Sequence, residues 1–392
     1  MHDKVKKTPA ATFPQNLLQA HYGLSPLVPL EPSYPAQAGP SPLVPPEPSH
    51  SAQAGSSPLV PLEPVTNPSN PRIECSTSDG ISRAAHNGYH GAEKYVQRYG
   101  HGYTEDKKLV LEARHTNGQL LFRVFIVADG HGSTSFFSQF VVDNIRPLLE
   151  RALSEPNPDI QQVILDTFAT LHQMVDAAAT PAARARGGTT LTICIVDHRQ
   201  QQPIAFFANL GDSPGAVFRN DGSGRFGIIF KTTDHCATFP EEQARIKAVV
   251  PYARVVGNYL DFGPQHPSIQ PTSGYGDYRY PDGVIRRVPE VYEPIPLGPG
   301  DVVAVYSDGY EETVIGDGLG PGRDLDELAQ DLSAAVANSE DIGYSMTERH
   351  IERLLTKYCE HHRIVLTPQN YQRYYNHVEN SMDNHAGIFF TV

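Results

Sequence analysis

The sequence predicts an α+β fold behind a proline-rich tail, and three observations predict it. Short runs rich in Val, Ile, Phe and Tyr, bounded by Gly, Asp and Pro, read as strands. A few stretches with apolar residues at i, i+3, i+4 and i+7 read as helices, and the two kinds come in blocks rather than in strict alternation. Composition also changes near residue 72: 16 of the 34 prolines precede it.

The strand runs come first. Leu121 to Ala128 ends at Asp129-Gly130-His131-Gly132. Thr189 to Val196 is entered through Gly187-Gly188, and Ile204 to Leu210 runs into Gly211-Asp212-Ser213. Asp301 to Tyr306 runs into Ser307-Asp308-Gly309, and Ala386 to Val392 follows Asp383-Asn384. Between them, Phe137 to Leu149 and Ile160 to Val175 read as helices. Leu325, Leu328 and Leu332 suggest a third. Ser345-Met346-Thr347-Glu348 is a capping-box pattern ahead of Ile351, Leu354, Leu355 and Tyr358, the spacing of one buried face.

The stretch 1–72 is set apart by a repeat with a period of 16 residues. Ser25-Pro26-Leu27-Val28-Pro29-Leu30-Glu31-Pro32 recurs from Ser41, with Pro46 in place of Leu30, and again from Ser57. Proline fixes φ and removes a backbone donor, so a disordered, polyproline-like tail is expected. It reads as a linker or targeting segment, or as a set of P-x-x-P ligands such as Pro26 to Pro29 for a groove-type binder. The boundary near 72 leaves 73–392 as one domain.

Composition excludes several function classes. The net charge of −13 argues against nucleic acid as a partner and suits cations, or substrates whose charge is masked by metal. The longest purely apolar run, such as Val124 to Ala128, is far short of the roughly 20 residues a membrane span needs. Residues 1–24 hold three lysines but no apolar h-region, so no cleaved secretion signal is expected. Cys75, Cys194, Cys236 and Cys359 form no C-x-x-C pair, which reads as free thiols in a reducing compartment. A cytoplasmic monomer is expected, or an effector that acts inside a host cell.

The recurring chemical feature is an aspartate at the end or the start of an apolar run: Asp129, Asp212, Asp308 and Asp383. Carboxylates gathered at one edge of a sheet repel one another unless a cation sits among them. Hard oxygen donors, with no His or Cys at ligand spacing, point to Mg²⁺ or Mn²⁺ rather than zinc. Taken singly, an Asp-Gly is a turn signal.

In order, Asp129-Gly130-His131-Gly132, Gly187-Gly188-Thr189-Thr190, Ala208-Asn209-Leu210-Gly211-Asp212-Ser213, Thr233-Asp234-His235, Ser307-Asp308-Gly309 and Asp383-Asn384 resemble the motifs of the metal-dependent Ser/Thr protein phosphatases of type 2C. The resemblance runs from about residue 73 to the C-terminus. It implies a four-layer α-β-β-α sandwich, two antiparallel sheets flanked by helices, with a dinuclear Mn²⁺/Mg²⁺ centre at one end. It implies that Asp129 bridges the two metals, that the Gly130 carbonyl adds a ligand, and that Asp308 and Asp383 bind the first metal. Asp212 matches a third, weaker site, and His131 matches the proposed general acid. Phosphorylated proteins are the implied substrates.

The family's first motif, an Arg followed by Glu-Asp, is matched here to Asn87 to Tyr95. Glu93 falls on the Asp and is expected to reach the second metal, while Ala92 falls where the Glu belongs. Arg83 lies too far upstream to serve as the phosphate-binding arginine, which leaves His90 or Lys94 as stand-ins, and a lysine lacks the bidentate fork. Two functions are therefore carried forward: an active phosphatase on Ser/Thr phosphate, and a catalytically weak or inactive phosphatase-like binding module. Gly257 to Tyr292 is expected to form a flap, with Tyr275, Tyr278 and Tyr280 either touching substrate or packing the loop.

Overall fold

The computed structural model describes residues 57–61, 65–66, 73–78, 81–86, 105–132, 135–257, 259–263, 268–311, 325–338, 341–379, 382–383 and 385–392. All of them belong to the unit Gln53–Val392. Strands are numbered in chain order.

The first seven-stranded sheet has the order β1 (Ser57–Pro61), β5 (Lys107–Arg114), β6 (Leu120–Ala128), β9 (Leu191–Asp197), β10 (Ile204–Leu210) and β16 (Glu290–Val291), with β17 (Ile295–Pro296) also on β10. The second runs β12 (Phe226–Lys231), β11 (Gly215–Asn220), β18 (Val302–Tyr306), β19 (His385–Thr391), β4 (Ile81–His86), β3 (Ile73–Ser78) and β2 (Val65–Thr66). Every pairing in both sheets is antiparallel. A three-stranded sheet joins β7 (Gly130–His131), β8 (Gly188–Thr189) and β15 (Tyr275–Gly276), and β13 (Arg254–Val256) pairs with β14 (Tyr259–Asp261).

The strand period of two explains the layers. In β6, Phe122, Val124, Ile126 and Ala128 pack into the layer that holds helices α1 (Phe136–Leu153) and α2 (Ile160–Ala178). Phe125 and Val127 point the other way, into the space between the sheets, where they meet Val303, Val305, Ile388 and Phe390. In β18, Val302, Ala304 and Tyr306 face a third layer with α5 (Leu325–Ala337) and α6 (Ile342–His361). Strands buried on both faces are apolar at nearly every position, which is why β6, β9 and β18 read as apolar runs, interrupted only by Arg123 in β6 and by Thr192 and Asp197 in β9. The result is the predicted α-β-β-α sandwich. The short α3 (Pro181–Arg184) follows α2, while α4 (Pro240–Val249) packs with the 253–285 segment and α7 (Tyr371–Glu379) with α6.

Two details differ from the sequence reading. β1 and β2 precede the boundary placed at 72, and β1 is the third copy of the proline repeat. Pro58 and Pro61 fit there because β1 is an edge strand, where a missing donor breaks no ladder on the open side. The first two repeat copies lie outside the described residues. The capping box at Ser345 lies inside α6, not at its start. The cap is Asp341, which accepts from the Tyr344 N–H at 3.0 Å and from Ser82 Oγ on β4 at 2.5 Å. Among the described residues, no helix is long and apolar enough to cross a membrane, and Cys194, Cys236 and Cys359 are buried free thiols.

Candidate active site

Antiparallel pairing brings the aspartates together. Asp129 follows β6, and Asp106 immediately precedes β5, the antiparallel neighbour of β6 with Lys107 opposite Ala128. Asp308 follows β18 by one residue, and Asp383 stands just before β19, with Tyr306 opposite Gly387. Asp212 follows β10. Strand ends from both sheets thus set five carboxylates at one end of the sandwich.

These groups act on one another. The Asp129 carboxyl stands close to those of Asp106 and Asp308. Burial first, and then the charges of Asp383 and Asp308, hold Asp106 well above the usual carboxylate range. Burial and the charges of Asp106, Asp383 and Asp212 do the same to Asp129. Ser307 Oγ donates to Asp106 Oδ2 at 2.7 Å and accepts the Ala386 N–H at 2.9 Å. The Gln270 side-chain amide reaches in from the 257–292 segment and donates to Asp308 Oδ2 at 2.8 Å and Asp212 Oδ2 at 3.2 Å.

The Asp129 backbone is pinned as well. Its carbonyl accepts from Thr189 Oγ1 at 2.9 Å and the Thr190 N–H at 2.8 Å, and its N–H donates to Thr190 Oγ1 at 3.1 Å. Gly130 is glycine for a steric reason: a Cβ there would lie 2.6 Å from the Glu105 carbonyl oxygen.

Among the described residues, no three His, Cys, Asp or Glu side chains close into a preformed cation cage. The donor chemistry nevertheless fits a hard divalent cation. The set is all oxygen and largely buried, and burial first, then the charge of neighbouring carboxylates that a cation would offset, raises Asp106 and Asp129 above the usual carboxylate range. Asp106, Asp129, Asp308 and Asp383 with the Gly130 carbonyl are the residues that would hold it, with Asp212 beside them.

His131 sits two residues beyond Asp129, with 24% of its side chain exposed. Its Nε2 lies 2.7 Å from Asp277 Oδ2. Burial works to lower its pKa, but the Asp277 carboxylate outweighs it and the net shift is upward. Asp277 also lines a cavity of about 360 Å³ with Tyr278, Asp176 and Arg287.

Asp129, Gly130, Asp212, Asp308 and Asp383 are thus brought together with His131 next to them. Glu93, Ala92, His90 and Lys94 lie outside the described residues. Arg83 is buried at 6% exposure in β4, where burial lowers its pKa and Glu112 opposes the shift. The sequence reading missed Glu105 and Asp106. Their signal was an acidic pair set directly before a strand, one hairpin upstream of Asp129. It also missed Gln270 and Asp277, which no motif marked. The Thr233-Asp234-His235 motif is used structurally: His235 bonds Ser273 Oγ at 2.8 Å and Glu290 Oε2 at 2.9 Å, and Asp234 pairs with Lys231 at 2.8 Å. Tyr275 and Tyr280 are buried, and the Tyr278 hydroxyl donates to Asp176 at 2.5 Å, so these tyrosines pack the loop.

The family model for protein phosphatase 2C matches residues 98–308, more than half of the chain, and takes in Glu105 and Asp106. No curated protein sequence matches significantly. Among solved structures, a serine-threonine phosphatase 2C from Toxoplasma gondii aligns with a TM-score of 0.53 at 16% identity, over 85% of this chain and 98% of that one. A second phosphatase from a pathogenic strain of Toxoplasma gondii gives 0.51 at 14%, over 81% and 95%. A sex determining protein of C. elegans gives 0.51 at 19%, over 81% of this chain; the chain spans 65% of that protein's length. At these identities the likeness speaks for the fold alone. With the motifs, the sandwich and the family match in agreement, the chain belongs to the protein phosphatase 2C family.

Proposed function

We propose that this chain is a metal-dependent phosphatase that hydrolyses phosphoserine and phosphothreonine in proteins. The observation that carries the reading is the largely buried carboxylate cluster with His131 at its edge. A pair of Mn²⁺ or Mg²⁺ ions, when bound, lowers the pKa of a water and screens charge on the phosphoryl oxygens. Asp106, Asp129, Asp308, Asp383 and the Gly130 carbonyl would hold the metal, and Asp212 would serve a third, weaker site.

The chain's own residues supply the rest. Phosphomonoester hydrolysis expels a serine or threonine alkoxide, a poor leaving group, so proton donation to that oxygen helps by roughly 10²–10⁴-fold. His131 is the donor: it stands beside the cluster and is held toward its charged form by Asp277. The inactive-module reading rested on Ala92, the missing arginine and the proline-rich tail, and Glu105-Asp106 supplies a Glu-Asp pair that answers the first of these.

The test is phosphate release from a phosphothreonine peptide with Mn²⁺, with Mg²⁺ and with EDTA. Turnover is expected with either metal and not with EDTA, and Mn²⁺ is expected to raise the melting temperature by mass action. Folded protein that neither turns over nor is stabilised by millimolar Mn²⁺ would falsify the reading.

A further inference from the structure

We propose that Asp277 is the positioning residue of His131, fixing which ring nitrogen delivers the proton. The proposal rests on the reading that His131 is the proton donor. Asp277 Oδ2 lies 2.7 Å from Nε2, so Nδ1 is the nitrogen that Asp277 does not engage.

The arrangement is over-determined. The three-stranded sheet sets His131 opposite Gly188 and Gly188 opposite Gly276, so Asp277 emerges one residue past the register of His131. The Asp277 N–H donates to the Gly187 carbonyl at 2.8 Å. Asp277 holds φ at 54°, in the left-handed region, which Asp tolerates better than most residues. Gly188 leaves the space: a Cβ there would stand 2.3 Å from Asp277 Oδ2.

The Asp277 charge also offsets the burial of nearby Arg287, but the arginine's hydrogen bonds go elsewhere. Arg287 directs its two terminal nitrogens at the carbonyls of Gly274 and Gly276. The other carboxylate oxygen, Oδ1, is buried without a hydrogen-bond partner. The polar contact of this 1%-exposed side chain is therefore His131. A buried carboxylate aimed at one ring nitrogen orients the imidazole and leaves the other nitrogen to face substrate.

In the chemical step, water oxygen bonds to phosphorus and gives a proton to solvent. The P–O bond to the side chain breaks, with its electron pair left on the serine or threonine oxygen. The Nδ1 proton moves to that oxygen, and the ring ends neutral with Nε2–H donating to Asp277.

The experiment compares Mn²⁺-loaded Asp277→Asn, Asp277→Ala, His131→Ala and the double variant Asp277→Ala/His131→Ala on two substrates. A phosphothreonine peptide has a poor leaving group; p-nitrophenyl phosphate has a good one and needs little acid help. Each Asp277 variant should lose roughly 10²-fold in kcat on the peptide and little on p-nitrophenyl phosphate. Asp277→Ala should cost nothing further in the His131→Ala background, because the two residues act as a unit. Equal losses on both substrates, or losses that add in the double variant, would mark a structural ion pair and overturn the proposal. If His131→Ala itself shows no leaving-group dependence, the donor reading fails with it. If His131→Ala shows the dependence and the Asp277 variants behave as wild type, Asp277 alone is ruled out. A second readout needs neither metal nor a folded variant. Carbethoxylation of the metal-free wild type, mapped by mass spectrometry, should modify His131 more slowly than exposed His115; equal rates would also overturn it.

Discussion

β18 carries an aspartate at each end, and the two live in opposite environments. Asp301, at the start, accepts from Arg219 Nε at 2.9 Å, from its terminal nitrogen at 2.6 Å, and from the Gly298 N–H at 2.7 Å. Burial pushes its pKa up, but Arg219 and Gly298 win and hold it below the usual carboxylate value. Asp308, at the other end, faces Asp129 and Gln270. The rest of the sandwich follows suit. Away from the site, Asp197 is forked by Arg199, and Glu112 is gripped by Arg123 and Arg114. At the site, burial first and then neighbouring carboxylates drive Asp106 and Asp129 upward. At these positions the chain pairs an acid with an arginine away from the site, and sets acids beside one another at the site proposed for a cation.

The strongest way to break this contrast is to remove an acid at each end. Asp129→Ala or Asp308→Ala should reduce metal-dependent phosphate release by roughly 10³-fold, about 4 kcal/mol of barrier, with the fold kept. At the other end, Arg219→Ala should leave kcat unchanged and lower stability by about 1–2 kcal/mol. That figure is set by the loss of a charge-assisted pair, discounted because the Arg219 side chain is 47% exposed. Urea titration and the peptide assay together separate the two. A loss of turnover in Arg219→Ala, or full activity in Asp129→Ala, would undo the division.

The sequence showed one half of this contrast better than the other. β6, β9, β10, β18 and β19 were legible because burial makes them largely apolar runs, and their flanking aspartates stood out against them. β5 reads Lys-Lys-Leu-Val-Leu-Glu-Ala-Arg, half polar, so it raised no signal, and Asp106 was lost with it. Gln270 and Asp277 come from a segment whose Pro, Gly and Tyr content gives no period, and their positions follow from long-range packing. The arginine partners at the far end are invisible for the same reason: Arg219 and Asp301 are 82 residues apart and meet only because β11 pairs with β18.

A smaller effect tests the far end by pH. His198 lies there, beside Asp197, with its Nε2 buried and without a hydrogen-bond partner. Burial, and then the Arg123 charge, lower its pKa from 6.5 to about 4. The unfolded chain therefore binds the proton first as pH falls. The stability held above pH 6.5 is lost progressively between there and about 4. The ring is only partly enclosed, so the loss is about 1–2 kcal/mol rather than the full value of the shift. His198→Gln should flatten this limb of a stability-against-pH curve. Asp301 adds a lower limb: its contribution is present above 3.8 and disappears as pH falls through its depressed folded value, and Arg219→Ala should remove it. A curve that His198→Gln leaves unchanged would mean the acid sensitivity lies elsewhere.

The smallest expected effect concerns an acid that serves neither arginine nor metal. Asp341 accepts from the Tyr344 N–H and from Ser82 Oγ, so it both caps α6 and ties that helix to β4. Asp341→Ala should cost about 1 kcal/mol, since it leaves an orphan donor at the helix start and a hydroxyl without its acceptor. Ser345→Ala, at the residue the sequence pattern marks as the cap, should cost less, because that serine is already one turn inside α6. The ranking by urea midpoint decides between cap geometry and cap pattern. If Ser345→Ala proves the more damaging, α6 starts where the capping box placed it, and the Ser82 tether is incidental.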